Sequence, residues 1–267
     1  MEHSYKGILY PARLPTFHRL PAAAPVAHLV QWFWIPEWDI EPGRASRQHV
    51  IAYPGCNLVV ETDGVVFAGP ATRAGYRDLK GRGWAVGALL RPAAVPLFTE
   101  NPESLQDIES VVHAPGLHAA VADAMSPGRE HDGGIRRGRA VSAFTGWLAA
   151  LAGPSLSEEA LLANRMMDLL TMDATILRLE DAASVLAASP RTLQRVARKY
   201  VGLSPAALIR RRRLQDAAER ARLDPSADLA AIAVELGYAD HSHLTNDFRK
   251  YLGFTPSTYR RVVGEGG

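Results

Sequence analysis

At 267 residues, 47% hydrophobic and 22% charged, the chain has the composition of a globular protein of one large or two ordinary domains. Cys56 is the only cysteine, which excludes an intrachain disulfide and a thiolate zinc cluster. The N-terminal MEHSYK lacks the apolar run of a secretory signal and no stretch approaches the ~20 apolar residues of a membrane span, so a reducing cytoplasm and no membrane partner are expected.

The net charge of +2 hides an asymmetry. Residues 174–263 hold 15 Lys+Arg against 9 Asp+Glu, a net of +6; the rest holds 15 against 19 (30 − 15 and 28 − 9), a net of −4. A basic C-terminal unit on an acidic body is the footprint of a nucleic-acid-binding module carried by something else, although a solvated arginine-rich surface would give the same charge.

Residues 1–101 read as β-rich. The run Gln31–Ile35 is closed by Pro36, and β-branched segments His49–Tyr53 and Asn57–Glu61 flank Pro54–Gly55. Asp63–Gly64 turns the chain into Val65–Ala68, a strong hairpin signal, and Trp84–Leu90 is a further strand. Short strands with frequent Gly/Pro punctuation predict a small antiparallel barrel or sandwich. After Pro102 the apolar spacing becomes three and four, predicting amphipathic helices over 104–112, 117–125 and 138–151. His131–Gly134 reads as a loop, and Gly153–Pro154 is the best interdomain punctuation, giving a β-rich domain over 1–155 and a helical one over 156–267.

The C-terminal region contains a repeat. LQRVARKYVGLSP (193–205) is answered by LTNDFRKYLGFTP (244–256), with corresponding residues 51 apart (244 − 193, 256 − 205). Ser189–Pro190, Ser204–Pro205 and Thr255–Pro256 are N-caps followed by proline at the first helical position; Gly202 and Gly253 are helix-ending glycines. Helices near 179–187 and 190–200, then near 228–236 and 240–251, predict two helix-turn-helix units joined by a helix from Pro205 to about Leu223. The whole is an α+β chain of two domains, a small β barrel or sandwich with appended helices and an all-α double helix-turn-helix.

In the first expected recognition helix the periodicity turns Leu193, Val196, Ala197 and Tyr200 inward and Arg191, Gln194, Arg195 and Arg198 outward. In the second, Leu244, Phe248, Tyr251 and Leu252 face in, and His241, Ser242, Thr245, Asn246 and Arg249 face out. Arg, Gln and Asn carry the paired donors and acceptors that match guanine and adenine edges in the major groove. Arg198, Lys199, Arg249 and Lys250 sit toward the helix ends, better placed for phosphate. An isolated exposed arginine is ordinary surface; two alike helices with alike caps are not. The connecting rod of ~28 Å (about 1.5 Å per residue) is comparable with the ~34 Å between successive major-groove faces. The Arg210–Arg213 run on it cannot all face one way, and divides between phosphate contact and surface.

Residues from about Glu158 to Val263 resemble the DNA-binding domain of the AraC/XylS family of bacterial transcription regulators, on SPRTLQR (189–195), VGLSP (201–205), IAVELGY (232–238) and LGFTPSTYR (252–260). The resemblance implies double-stranded DNA as partner, read through Arg191, Gln194 and Arg195 and then His241, Ser242, Thr245 and Asn246. Two positions depart from the family: Asn246 stands where Arg is usual, with Asp247 adding negative charge beside it, and Ala197 where an aromatic is usual. The N-terminal domain is more loosely similar to the sensor domains of such regulators. That implies a small-molecule effector, homodimerisation (here through 104–151) and contact with RNA polymerase.

An effector pocket would draw on Trp32, Trp34, Tyr53, Phe67 and Trp84, since ligand sites are lined by apolar and aromatic groups, although such residues in a small β domain are more often core. No cofactor or metal is implied: His49 lacks a close histidine partner, and His113, His118 and His131 fall in helical or loop sequence. Cys56 has no basic neighbour in sequence to activate it. No hydrolase, P-loop or dinucleotide fingerprint suggests an enzyme, and one cysteine cannot supply the metal-bound alkyl acceptors of a repair protein. An enzyme is the competing class, and the alternative reading is a protein-interaction module or an enzyme-linked sensor that does not itself read an operator.

Overall fold

The computed structural model describes residues 16–126, 132–153, 155–224 and 226–264. The N-terminal MEHSYK, His131, Pro154 and the side chain of His49 lie outside the described residues.

Six strands form one antiparallel sheet: β1 (Thr16–Pro21), β2 (Val30–Asp39), β4 (Asn57–Glu61), β5 (Gly64–Ala68), β7 (Arg82–Leu90) and β8 (Glu109–Val111), in the order β1-β2-β7-β4-β5-β8. β3 (Ala45–Val50) pairs with β6 (Gly75–Lys80) in a separate two-stranded sheet. The layout is an open, sandwich-like arrangement rather than a closed barrel. The Asp63–Gly64 signal is realised as a tight β4–β5 hairpin, Glu61 opposite Gly64. β2 runs through Pro36 to Asp39, its pairing with β7 holding one register from Trp34↔Gly87 to Glu37↔Trp84. The strand expected over 49–53 ends at Val50, and residues 51–53 leave the sheet.

Alternation sorts the strand residues onto two faces. Phe33, Ile35, Leu58, Val60, Phe67, Val86 and Ala88 point inward and pack under α1 (Pro115–Met125) and α2 (Gly133–Ala152), with Phe33 edge-on to Phe144 at 5.4 Å. The helix expected over 104–112 is absent. A 3-10 turn, Pro102–Leu105, leads through Asp107 at φ +58 into β8, whose β-branched Val111 pairs with Val66. A left-handed residue breaks the helical path that the apolar spacing alone suggested.

The C-terminal helices are α3 (Glu158–Met172), α4 (Leu179–Val185), α5 (Pro190–Tyr200), α6 (Pro205–Leu223), α7 (Leu229–Glu235), α8 (His241–Asp247, continued by a π turn Phe248–Leu252) and α9 (Pro256–Gly264). They bury two separate cores. Leu193, Val196, Ala197 and Tyr200 join α3, α4 and the start of α6; Ile232, Leu244, Phe248 and Tyr251 join the end of α6. Each core also takes in one alanine from the β-rich region, Ala93 in the first and Ala52 in the second.

Candidate nucleic-acid interface

Both recognition helices begin on side-chain caps. Ser189 Oγ accepts the Thr192 amide at 3.1 Å and Asp240 Oδ1 accepts that of His243 at 2.8 Å, each satisfying an otherwise orphaned first-turn donor. The turns before them need left-handed backbone: Gly237 (φ +76) supplies it in the second unit and Ala187 (φ +49) in the first. Arg191, Gln194, Arg195, Arg198 and Lys199 on α5 are exposed, as are His241, Ser242 and Asn246 on α8 and Arg249 and Lys250 on the π turn. Thr245 is half-buried, its hydroxyl turned away from solvent.

Carboxylates already engage several of these cations. Glu159 on α3 accepts from Arg195, from Lys199 Nζ at 2.6 Å and from the Tyr200 hydroxyl at 3.1 Å. Hydrogen bonds from Lys199 and Arg195 hold its carboxyl down at about 2 and raise the Lys199 ammonium. Arg198 Nε donates to Glu103 at 2.9 Å. Exposed pairs of this kind contribute ~0–1 kcal/mol, whereas a bidentate base contact discriminates by ~1–3 kcal/mol.

Asp247 does not lie beside Asn246 on the outer face. It is 1% exposed and takes two hydrogen bonds from Arg210 on α6, at 2.7 and 2.5 Å. The pairing raises Arg210, whose Nη2 is also 3.0 Å from His243 Nε2. Residue 247 falls on the same helical stripe as Leu244, Phe248 and Tyr251, so its charge is spent fixing α8 to α6 and does not repel phosphate.

Each arginine of the run on α6 has a partner within the fold. After Arg210, buried Arg211 donates to Ala52 O at 2.5 Å and to Ala71 O, with its guanidinium 4.2 Å from the Tyr251 ring centre. Buried Arg212 donates to Asp173 O and, at 2.9 Å, to Ile176 O. Arg213 reaches Leu177 O at 3.1 Å and Gly237 O at 3.4 Å, joining the two helix-turn-helix units. The expected division between phosphate contact and ordinary surface does not describe buried Arg211 and Arg212, whereas Arg210 is exposed and Arg213 half-buried.

The sheet separates the five aromatic residues singled out for a pocket. Phe67 is buried on the inner face, stacked on Phe98, and Trp84 packs against the same core. Trp34 lies over Gly87 on the outer face, where an added Cβ would come 2.1 Å from its ring, and its Nε1 donates to Asn57 Oδ1 at 2.9 Å. Trp32 stands edge-on to Tyr53 at 5.5 Å with the Arg19 guanidinium 4.1 Å from its ring centre. Burial pushes the Tyr53 phenol up to about 12 and lowers Arg19. Cys56 is buried, its thiol likewise pushed up to about 12. Among the described residues no group of three or more His, Cys, Asp or Glu could hold a metal, and no helix is long and apolar enough to cross a membrane.

Paired helix-turn-helix units on one connecting helix define a DNA-binding class of fold. Residues 182–262 match the family model described as a helix-turn-helix domain, and residues 18–108 match a domain of unknown function, DUF6597. The C-terminal unit is a helix-turn-helix domain. The chain is 35% identical over 123 residues to a protein of Streptomyces antibioticus named an AraC-like transcription regulator, covering 46% of this chain and 38% of that one. It is 34% identical over 89 residues to the regulatory protein PocR of Salmonella typhimurium, covering 33% and 29%. The chain thus spans less than two fifths of the length of these curated relatives. Among solved structures, ToxT from Vibrio cholerae overlaps 92% of this chain and 97% of its own at a TM-score of 0.43 and 12% identity.

Proposed function

We propose that the protein is a sequence-specific transcription regulator that places α5 and α8 in adjacent major-groove segments of one duplex. The observation that carries this reading is the pair of recognition helices, alike in sequence, caps and inward stripe, each exposing a polar face on its own small core. Arg191, Gln194 and Arg195 read bases in one half of the site and His241, Ser242 and Asn246 in the other, while Arg198, Lys199, Arg249 and Lys250 meet phosphate; Thr245, its hydroxyl buried, has no polar group to offer a base edge. Asn246 in place of arginine favours adenine. Because the units repeat in tandem, the site within one protomer is asymmetric, and any mismatch between rod and groove is met by bending the DNA.

Residues 1–155 act as the sensor and 156–267 as the reader. Of the pocket residues, Trp32, Trp34 and Tyr53 share the half-covered outer region of the sheet and are the ones a small-molecule effector would meet. Homodimerisation through α2, which exposes Ile135 and Leu151, and contact with RNA polymerase complete the reading; a monomeric solution mass for the purified chain would remove the dimer.

The test is selection of bound fragments from a genomic library, followed by affinity measurement on the recovered site. Arg195→Ala should cost ~1–3 kcal/mol and relax preference at one base pair. Unchanged affinity and preference would remove Arg195 from the interface, and binding that ignores added salt would remove the DNA reading itself.

A further inference from the structure

The N-terminal region touches both helix-turn-helix units at the same place, the C-terminal end of the recognition helix. In the first unit Gln106 Nε2 donates to Gly202 O at 2.6 Å. Pro102 lies so close to Gly202 that an added Cβ would come 2.6 Å from its backbone. In the second, Ala74 N donates to Lys250 O at 2.8 Å and Ala52 N to Tyr251 O at 3.1 Å. These carbonyls are among the last of a helix and have no partner further along it. Arg211 then reaches back to Ala52 O and Ala71 O.

The two gripping loops are fastened to one another. Asp107 Oδ1 accepts from Thr72 N at 2.7 Å and Oδ2 from Thr72 Oγ1 at 2.5 Å, while Asp107 N donates to Pro70 O at 3.3 Å and Gly69 N to Ile108 O at 3.0 Å. Gly69 packs so tightly that a Cβ there would overlap Leu105 O. Loops 69–74 and 102–108 therefore form one body with a hold on each reading unit. The same body carries Glu103, which pairs with Arg198 and shares a surface cleft with Arg191, Gln194 and Arg195. A carboxylate there occupies ground that a phosphate or base edge must take. An exposed ion pair alone is a weak restraint. Here the backbone at Pro102–Glu103 packs against Gly202 and the Gln106 side chain is hydrogen-bonded to it, so the Glu103 charge stays at the reading face until the loop leaves.

We infer that these paired loops are an autoinhibitory brake: Glu103 stands in for DNA phosphate on the first recognition helix, and the Asp107 staple makes both helices engage and release together. The inference rests on the DNA-binding reading and adds how that face is controlled.

The test uses the full-length chain and a fluorescent duplex of about 40 base pairs of mixed sequence, titrated at roughly 50 and 200 mM salt. Glu103→Gln keeps the shape and removes the charge. Freeing Arg198 for one phosphate should steepen the salt slope by about 0.9, tightening binding about 4-fold near 200 mM and about 15-fold near 50 mM. Asp107→Asn keeps a residue that tolerates the left-handed backbone but loses half of the acceptor pair. It should tighten binding as well and raise hydrogen exchange at the Ala74 and Ala52 amides, which Glu103→Gln leaves unchanged.

Equal or weaker binding by Glu103→Gln, with salt-dependent wild-type binding intact, would overturn the brake alone. Faster exchange in Asp107→Asn without tighter binding would overturn the joint release. Salt-independent or absent binding in all three proteins would overturn the DNA reading together with the brake.

Discussion

Replacing Arg211 by methionine tests whether the N-terminal loops are held to the second reading unit as described. Arg211 is 3% exposed and donates to two carbonyls, Ala52 O and Ala71 O, while its guanidinium stacks on Tyr251. Hydrogen bonds from a charged donor contribute ~1.5–3 kcal/mol each, and a desolvated cation–π contact ~1–2 kcal/mol, a gross loss of about 4–8 kcal/mol. Against this, methionine removes the desolvation cost of a buried guanidinium, which is several kcal/mol and lowers the arginine's own pKa. It also refills most of the stem volume. The two carbonyls left without a donor keep the balance unfavourable, at about 2–4 kcal/mol. Urea unfolding followed by tryptophan fluorescence should show the lower midpoint, and hydrogen exchange should quicken first at the Ala52 and Ala74 amides, which donate to Tyr251 O and Lys250 O. Exposed Arg191→Met serves as the control and should change stability by less than ~0.5 kcal/mol. An Arg211→Met protein matching that control, with exchange at Ala52 and Ala74 unaltered, would refute the reasoning.

Other outcomes follow from single residues. Ala187 sits in the first helix-turn-helix turn at φ +49, a conformation costing an L-residue ~1–2 kcal/mol; Ala187→Gly should recover ~0.5–1 kcal/mol after the added chain entropy, and a lower melting temperature would contradict this. The Glu159 carboxyl titrates near 2 in the fold against an ordinary 4.5, so its contribution to stability is complete above 4.5 and disappears as pH falls toward 2. Unfolding measured from neutral to acid pH should show wild type and Glu159→Gln converging across that window, and a gap that widens there would reverse the assignment. The thiol of Cys56, buried and raised to about 12, should resist iodoacetamide in the native protein at mildly alkaline pH and react in denaturant. Rapid native alkylation, followed by mass, would show the site to be open.

Much of the C-terminal architecture could be read from sequence because its signals are local. The caps at Ser189 and Ser204, the helix-ending glycines and the inward stripes each depend on residues within a turn or two, and the structure places them as expected. The sheet is legible where strands carry apolar, β-branched runs or Asp-Gly punctuation, as at β4, β5 and β7, and escapes notice at β1 and β6, neither of which has a fully buried residue. Apolar spacing misled at 104–112, where Leu105, Ile108 and Val111 fit a helix. Ile108 and Val111 are exposed, so the spacing recorded no buried face. The pocket residues failed to gather for a related reason: composition names aromatics without saying on which side of a sheet they fall. Asp247 was legible in principle, since the stripe of Leu244, Phe248 and Tyr251 includes it, but the eye assigns a carboxylate to solvent unless a partner is known. That partner, Arg210, lies 37 residues away.

The four arginines show why such partners escape a sequence reading. Consecutive residues on a helix point about 100° apart, so four of them sweep nearly the whole circumference. On a surface helix some must meet water, which is why part of the run was expected to be ordinary surface. α6 changes allegiance here, with Leu208 and Ile209 in the first reading core and Leu214, Ala217 and Ala218 in the second. At the crossover it is surrounded by α8, the N-terminal loops, the segment before α4 and the turn at Gly237. Each direction offers backbone carbonyls or a carboxylate, and a guanidinium can reach them while its stem stays apolar. A lysine in any of these places would lose the forked geometry that lets Arg211, Arg212 and Arg213 each bridge two carbonyls. The rigidity of the helical unit therefore depends on the four residues whose charge first suggested contact with DNA, and among them Arg211 ties it to the N-terminal loops.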